Sequence, residues 1–586
     1  MSVRLPSDDT PFVLFDDARA GGTARLYAGP VEIVATRRSG EVTAALDALR
    51  TATRGGLHAA GFLSYDAGHA LEPRLPAREG DGLPLLWFGL FRDFAEVDAG
   101  ALLPDPAGGW LGALVPAIDR TAYDARLAEV QALIAAGDIY QANLTFQASV
   151  AIAGDPFALY AGLRVRAKAG CGAIVWTGRD RLLSLSPELF FEFDEGRITT
   201  RPMKGTALRD PDAQTDAAAA KRLAEDEKQR AENLMIVDLL RNDLSKVATP
   251  GSVETPELFA VESYPTVHQM TSTVTATLAD GKDALDVLAA LFPCGSITGA
   301  PKLRAMEVID AVESAPRGAY TGAIGRIDAG AAGAAFNVAI RTLHLAANGA
   351  HATMGLGSGI VADSKGDDEW VECLGKGDFV ASPARFDLIE TMAFDPHAGV
   401  ARLEAHLARM KASAEALGFA FDRHAARNEL QAATFRLREP AKVRLLLSCK
   451  GAMAIETRAL PPQPADAVLV ALAPLPVSPP DFRLRHKTSD RAFYDDARHA
   501  GHAFEVIFED ASGRVTEGSF THVFIERDGT LLTPPLSLGL LPGILRAELI
   551  AEGCASEADL TVADLAHGFL IGNAVRGLLP ARLLRL

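Results

Sequence analysis

The chain of 586 residues holds only five cysteines, Cys171, Cys294, Cys373, Cys449 and Cys554, set singly with no Cys-x-x-Cys pair. That scatter excludes a disulfide framework and a thiolate zinc site, and predicts reduced packing residues. Long apolar runs are missing as well. No stretch of about 18 uninterrupted apolar residues occurs, so no membrane-spanning helix is expected. Met1 to Asp8 lacks a basic region followed by an apolar stretch, which argues against a secretory leader and for the cytoplasm. An excess of positive charge is also lacking. The net charge of −17 repels nucleic acid and anionic lipid, so an anionic substrate has to be held by local cations against the overall field. The expected ligand is small. No internal repeat is present.

What is present fits a globular α/β chain, with 48% hydrophobic and 23% charged residues. At roughly 150 residues per domain the length predicts about four structural units. Strands are expected over Leu57 to Asp66, Ala173 to Trp176 and Leu182 to Phe193, where β-branched and aromatic residues lie between Gly and Pro. A helix is expected over Glu225 to Val247: acids open it, Leu234, Val237, Leu240 and Leu244 follow at helical spacing, and a lysine sits near its end. Asp378 to Phe386 reads as a short linker, and a Pro-rich stretch, Leu460 to Pro480, divides the second half of the chain again. The predicted regions are 1–115, 116–378, a linker at 379–386, and 387–586.

Lys204 stands in Arg201-Pro202-Met203-Lys204-Gly205-Thr206, near a proline that fixes φ and beside a glycine that allows close backbone approach. Such a lysine is either a surface residue in a tight turn or a positioned nucleophile. Arg341, in a segment read as an apolar strand (Asn337 to Arg341), is costly to bury unpaired. It therefore needs a carboxylate, either from a structural ion pair or from a substrate.

Eight ordered segments carry a resemblance: RPMKGT at 201–206, RAENLMIVDLLRNDLSKVATPGSV at 230–253, VHQMTSTV at 267–274, FPCGSITGAPKLRAMEVI at 292–309, RGAYTGAIG at 317–325, AIRTL at 339–343, GLGSGIVADS at 355–364 and DEWVECLGK at 368–376. Together they resemble the chorismate-utilising enzymes, which include anthranilate synthase component I, isochorismate synthase and aminodeoxychorismate synthase component I. GFLSYDAG at 61–68 and GDIYQANLT at 137–145 look like the aminodeoxychorismate branch. The resemblance covers about residues 1–378 and implies a large α/β sandwich of sheets flanked by helices.

It also implies a site. Glu232, with Glu369 and Glu372 three apart on one helix face, would ligate Mg²⁺ as hard oxygen donors; a solvated acidic face is the alternative. Arg341 would take the substrate's side-chain carboxylate. Gly355, Gly357 and Gly359, read as a glycine-rich loop, and the Thr298 to Lys302 turn would offer backbone N–H groups to an anion. Lys302 would act as a general acid or charge partner, and Tyr320 and His268 match further site positions, although a lone histidine is more often a satisfied core residue. Relatives making anthranilate or isochorismate generally have alanine where Lys204 stands. The resemblance implies that Lys204 adds to C2 of chorismate and expels the C4 hydroxyl, after which ammonia displaces it at C4 to give 4-amino-4-deoxychorismate. No cysteine has the strand-to-helix setting of a glutaminase nucleophile, so a separate glutamine amidotransferase subunit is the expected ammonia source.

FDLIETMAFDPHAGVARLEAHLARMKASAEALGF at 386–419, HKTSDRAFYDDAR at 486–498, EGSFTHVFIERDGTLLTPPLSLGLLPGILR at 517–546 and IGNAVRGLLP at 571–580 resemble the class IV pyridoxal-phosphate enzymes, which have a two-subdomain fold. After residue 386 the lysines are Lys411, Lys442, Lys450 and Lys487, and Lys487 matches the family's Schiff-base lysine. Glu517 matches the acid on the pyridine nitrogen. Arg409, in a helix expected over Leu403 to Ala416, matches the phosphate arginine, although it could instead be a solvated helix residue. Backbone donors at Ile544, Leu545, Asn573 and Ala574 would complete the phosphate cup. Aminotransferases often carry threonine at the position of Leu545, so one phosphate contact is lost or supplied by Asn573. Class IV folds are commonly dimers, and a homodimer through this region is expected. Joined to the first part, the second would eliminate pyruvate to leave 4-aminobenzoate. The alternatives are an aminotransferase for an unrelated amino acid, an anthranilate synthase in the first part, or one part retained as an inactive binding module.

Overall fold

The computed structural model describes residues 4–6, 9–80, 82–264, 267–347, 349–380 and 386–584. The chain forms two compact units. The first comprises Met1–Leu103, Leu114–Val150 and Tyr160–Ala381, and the second Pro104–Ala113, Ala151–Leu159 and Ser382–Leu586. The predicted linker at 379–386 spans this division, and its residues 381–385 lie outside the described residues. Two short segments from the first part of the sequence thus pack with the second unit, which no local pattern announces.

The first unit is built on two ten-stranded sheets among the described residues. The strand Leu86–Phe91 explains their stacking. All six residues, LWFGLF, are buried. Leu86, Phe88 and Leu90 enter one apolar core with Leu46 and Leu49 of helix Val42–Arg54 and Leu285 and Leu288 of helix Ala284–Leu291. Trp87 and Phe91 enter another, shared with Val13, Ala173, Val175 and Leu182 of the other sheet. Alternating side chains of one strand therefore serve a helix-facing and a sheet-facing core, giving the sandwich expected from the sequence.

Helix Glu227–Ser245 starts at Asp226, whose side chain accepts from Gln229 N. It buries Asn233, Ile236, Val237, Leu240 and Leu244 on one face. The strands Cys171–Trp176, Arg181–Ser186 and Leu189–Asp194 fall where the sequence pattern places them. Two local readings differ. Arg341 is not in a strand: it lies between strand Gly333–Val338 of one sheet and strand Thr342–Leu345 of the other, with φ 49°. The chain changes sheets there, and the local apolar pattern carries no sign of that crossing. Gly355, Gly357 and Gly359 are not in a loop either, but alternate along strand His351–Ile360.

The second unit has a four-stranded sheet, Gly399–Val400, Leu388–Asp395, Ala441–Leu447 and Met453–Ala459, against which helix Leu403–Leu417 packs. It also has an eight-stranded mixed sheet, in which Glu505–Glu509, Val468–Pro474 and Gly577–Leu583 run side by side. Trp110, from the first part of the sequence, is buried in the core with Leu388, Met392 and Phe482. Among the described residues no helix is long and apolar enough to cross a membrane.

Candidate active sites

In the first unit Lys204 lies on strand Met203–Leu208, paired to Val267–Thr277 with a register shift between Met203 and Thr206. The irregularity accommodates Gly205 at φ 98° and re-aims the lysine. Asn233 Nδ2 donates to Lys204 O at 3.4 Å, and Gln269 Nε2 to Gly205 O at 2.7 Å, holding the backbone on both sides. Lys204 Nζ is 3.6 Å from Glu232 Oε2. A Cβ on Gly359 would lie 2.8 Å from Gln141 Nε2 and 2.9 Å from Lys204 Nζ. Two polar ends thus converge on a backbone surface that only glycine leaves open.

Gln141 was not singled out from the sequence. It is fully buried, yet neither end of its amide has a partner among the described residues. An orphaned amide of that kind is costly unless a ligand completes it. Glu188 was missed too. It follows Ser186 and Pro187, accepts from Ser296 Oγ at 2.8 Å, and burial pushes its carboxyl up to about 7 against the pull of Ser296 and Lys204. A lone acid in the apolar run LSLSPELFF is itself a signal, since burying it costs several kcal/mol unless it has work to do.

Arg341 is largely buried, and among the described residues no hydrogen bond or ion pair reaches its guanidinium; burial pulls its pKa down. It fits a receptor for an external carboxylate better than a structural ion pair. The glycines divide in role. A Cβ on Gly355 would stand 2.0 Å from the Tyr320 ring, so this glycine makes room for the tyrosine. Gly357 O accepts from Lys376 Nζ at 2.9 Å.

Other expected residues are held within the protein. His268 meets Asp216 Oδ1 through Nε2 and Ser263 Oγ through Nδ1, both at 2.9 Å, so it is a satisfied core histidine. Lys302 is ion-paired with Asp243 and donates to Leu291 O at 2.8 Å; burial lowers its pKa despite that acid. Thr298 Oγ1 donates to Cys294 O at 2.8 Å.

The acids expected to hold a metal are loosely gathered. Glu369 and Glu372 lie on helix Gly366–Gly375 as expected. Ser364 Oγ donates to Glu369 at 2.6 Å, and Lys376 pairs with Glu372 at 2.7 Å. Lys228 interacts electrostatically with both Glu232 and Glu369, which sets these two in one neighbourhood. No group of three or more acids, histidines or cysteines forms a closed metal cluster among the described residues. Mg²⁺ commonly binds through one or two carboxylates plus substrate and water, so this donor set fits that ion with substrate present.

In the second unit a cavity of about 550 Å³ is lined by Lys487, Arg409, Glu517, His406, Leu545 and Asn573, among others. Lys487 follows the short helix Phe482–Arg485. Burial, aided by Arg409, pulls its pKa down to about 7. Glu517, on strand Val515–Gly518, accepts from Tyr494 OH at 2.8 Å and Leu541 N at 3.2 Å, and burial pushes it up to about 7.

Arg409 is no solvated helix residue. It grips Glu390 through Nε at 2.8 Å and a terminal nitrogen at 2.7 Å, and donates to Pro542 O at 2.9 Å. His406, one turn earlier, meets the same carboxylate through Nδ1 at 2.6 Å, while its Nε2 is buried without a partner. Neither Glu390 nor His406 was picked out from sequence. Arg409 and His406 outweigh the burial of Glu390 and hold it at about 2, so it stays a carboxylate. Helix Ile544–Ala551 has no side-chain cap at Gly543, and Ile544 and Leu545 open its first turn. Asn573 is partly engaged within the protein: its Oδ1 accepts from Val575 N and Arg576 N at 2.9 Å and its Nδ2 donates to Phe520 O at 3.2 Å, which leaves one side-chain N–H for a ligand. A buried lysine, a buried carboxyl, an arginine and an open helix N-terminus around one cavity fit pyridoxal phosphate.

A two-sheet sandwich with a lysine among carboxylates, joined to a unit with a lysine in a cationic cavity, defines an α/β chain with two separate enzyme sites. It belongs to the chorismate-binding enzymes, whose family model matches residues 10–382, and it carries a class IV amino-transferase domain matched over residues 387–584. Aminodeoxychorismate synthase component 1 of Salmonella typhimurium is 43% identical over 270 residues, covering 45% of this chain and 58% of that protein. The protein of that name from Escherichia coli is 44% identical over 257 residues, covering 44% and 56%. The chain thus spans somewhat over half the length of these curated relatives. Among solved structures, anthranilate synthase component I from Streptococcus pneumoniae matches with TM-score 0.54 and 26% identity, over 65% of this chain and 94% of that one.

Proposed function

We propose that this chain makes 4-aminobenzoate in two consecutive steps, the first unit aminating chorismate and the second eliminating pyruvate from the product. The observation that carries the first step is the convergence of Lys204 Nζ and the unpartnered Gln141 amide on Gly359. Arg341 binds a substrate carboxylate. Glu232, Glu369 and Glu372 would hold Mg²⁺, which would neutralise the ring carboxylate. Lys204 Nζ attacks C2 as the C4 hydroxyl leaves by allylic displacement, and Glu188, neutral below about 7, donates the proton that lets it go as water. Ammonia then forms the C4–N bond and the C2–lysine bond breaks, restoring the amine. A separate glutamine amidotransferase subunit supplies the ammonia, in keeping with the component 1 relatives.

In the second unit Arg409 with the first amides of helix Ile544–Ala551 would hold the phosphate of pyridoxal phosphate, and Glu517 its ring nitrogen. When bound, the cofactor supplies an electron sink conjugated to the substrate amine. Lys487, with its pKa near 7, removes the C4 proton. The enolpyruvyl oxygen leaves C3 as the enolate of pyruvate, which takes up a proton, and the ring becomes aromatic.

Product analysis tests both steps on the full chain with chorismate, ammonium, Mg²⁺ and pyridoxal phosphate, with no keto-acid acceptor. The wild type should release 4-aminobenzoate and pyruvate. Lys204→Ala should lose amination by about 10³-fold or more, and Lys487→Ala should accumulate 4-amino-4-deoxychorismate. Unchanged amination in Lys204→Ala rejects the first assignment. A requirement for a keto acid points instead to an aminotransferase.

A further inference from the structure

Between Glu369 and Glu372 on helix Gly366–Gly375 stand Trp370 and Val371, and their surroundings differ. Val371 is exposed, whereas Trp370 is half-buried in a closed cluster of three rings. Its ring centre lies 5.2 Å from that of Phe146 with the planes nearly parallel, at 24°, and 5.1 Å from that of Tyr123 at 56°. Tyr123 and Phe146 meet edge-on at 5.9 Å. Both stacked and edge-on pairs are favoured arrangements of aromatic rings, so the cluster holds its shape. Its two other members are fixed elsewhere in the first unit: Tyr123 is buried on helix Arg120–Ala135, and Phe146 is buried on strand Gln141–Gly154.

The helix has few other grips near the two acids. Cys373 is buried, but its thiol meets only Ser358 Oγ at 3.6 Å and Tyr123 OH at 4.0 Å, which are weak contacts for sulfur. Asp367 pairs with Arg120 at 2.8 Å, yet Asp367 is almost wholly exposed, so this pair contributes little. Lys376 ties the far end of the helix to Gly357 O. The rotation of the helix about its own axis is therefore set chiefly at Trp370. That rotation matters because a turn of about 20° would carry a glutamate carboxylate by roughly 2 Å, given the radius of a helix with its side chains. Such a shift is about the length of a Mg²⁺–oxygen bond, and Mg²⁺ tolerates little departure from its preferred geometry. Phe146 also lies on the strand that carries Gln141, so one stack sets the acids and that amide in common register.

We propose that Trp370 is a positioning residue for the metal, its stack on Phe146 and Tyr123 holding helix Gly366–Gly375 at the rotation that aims Glu369 and Glu372 at one Mg²⁺. The proposal rests on the reading of Glu232, Glu369 and Glu372 as Mg²⁺ donors, and it assigns the group that gives two of them their direction. Trp370 touches neither substrate nor metal in this role. It acts through the helix.

The test uses the full-length protein and compares wild type with Trp370→Phe, Trp370→Leu and Trp370→Ala. The first readout is the Mg²⁺ dependence of amination with ammonium at saturating chorismate. Trp370→Leu and Trp370→Ala should raise the half-saturating Mg²⁺ concentration by about 10-fold or more, as loss of groups that orient metal ligands does, while excess Mg²⁺ should bring the rate back to within about twofold of wild type. Trp370→Phe keeps a ring in the stack and should stay within about threefold of wild type. The second readout needs no turnover: free Mn²⁺, followed by electron paramagnetic resonance, is titrated against each protein with chorismate and without ammonium. Mn²⁺ affinity should fall in the same order, and turnover of 4-amino-4-deoxychorismate in the second unit should not change. A wild-type metal dependence in both Trp370→Leu and Trp370→Ala overturns the proposal, as does a slowed rate that excess Mg²⁺ does not recover. If the wild type neither needs Mg²⁺ nor binds Mn²⁺, the metal reading fails and the positioning role falls with it. If Mn²⁺ affinity depends on Trp370 while the wild type forms no 4-amino-4-deoxychorismate, the amination reading fails and the positioning role stands.

Discussion

The two lysines proposed to react occupy opposite surroundings. Lys204 keeps about a fifth of its side chain exposed and faces the Glu232 carboxylate at 3.6 Å. Lys487 is buried, and the cations Arg409, Arg491 and Arg444 act on it to help lower its pKa. The titrating group built into the first site is instead a carboxyl, Glu188, pushed up to about 7 by burial. The second fold thus prepares a neutral amine in advance, whereas the first prepares an acid beside a positioned amine. This matches the proposed chemistry, since expelling a hydroxyl calls for a proton donor and abstracting a carbon-bound proton calls for a base.

The largest effect that would sharpen this contrast comes from Arg341. Its guanidinium has no partner among the described residues, so a substrate carboxylate is the natural counter-charge. Arg341→Ala should lower kcat/KM for chorismate by roughly 100-fold, about 3 kcal/mol, while leaving turnover of 4-amino-4-deoxychorismate in the second unit intact. A loss shared equally by both reactions would mean that Arg341 supports the fold rather than the ligand.

The opposed titrations also give opposite pH signs. Lys487 drops from 10.5 to about 7 on folding, so between those values the folded chain holds fewer protons than the unfolded one and stability rises with pH; below about 7 the penalty is complete. Glu188 rises from 4.5 to about 7, so its neutral form favours folding below 4.5 and that contribution is lost as pH climbs through about 7. Uptake of pyridoxal phosphate by the cofactor-free protein needs neutral Lys487. Its rate, followed by visible absorbance, should climb about tenfold per pH unit up to roughly 7 and level off above. A flat profile from pH 5.5 to 8 would remove Lys487 as the capturing amine.

Legibility from sequence differs between the two sites for a physical reason. Lys204, Lys487, Arg409 and Glu517 lie in short contiguous motifs, and the helix near Glu232 follows from apolar spacing. Arg341 and the glycine strand were misplaced locally because the crossing between sheets and the packing of Tyr320 on Gly355 are long-range events. Glu188 and Glu390 left a usable trace, each a single acid inside an apolar run, whereas Gln141 left none. The segments Pro104–Ala113 and Ala151–Leu159 were illegible because their partners are distant in sequence: Asp105 reaches Arg483 at 3.5 Å, and Ser478 donates to Asp155 at 3.2 Å.

The finest test of the contrast is at Ser296. Its hydroxyl donates to Glu188 at 2.8 Å and favours the charged carboxylate, opposing the larger upward push from burial. Removing it in Ser296→Ala should leave Glu188 protonated to higher pH. A hydrogen bond to a charged group contributes about 1.5 kcal/mol or more, so the alkaline limb of the ammonia-dependent amination rate should move up by roughly one pH unit or slightly more. The rate at pH 6, where Glu188 is already neutral in both proteins, should change little, and cofactor uptake at Lys487 should keep its midpoint. If the limb stays in place, the group titrating in amination is not Glu188. If it moves down, the hydroxyl stabilises the neutral acid instead, and the preparation of the first site would resemble that of the second.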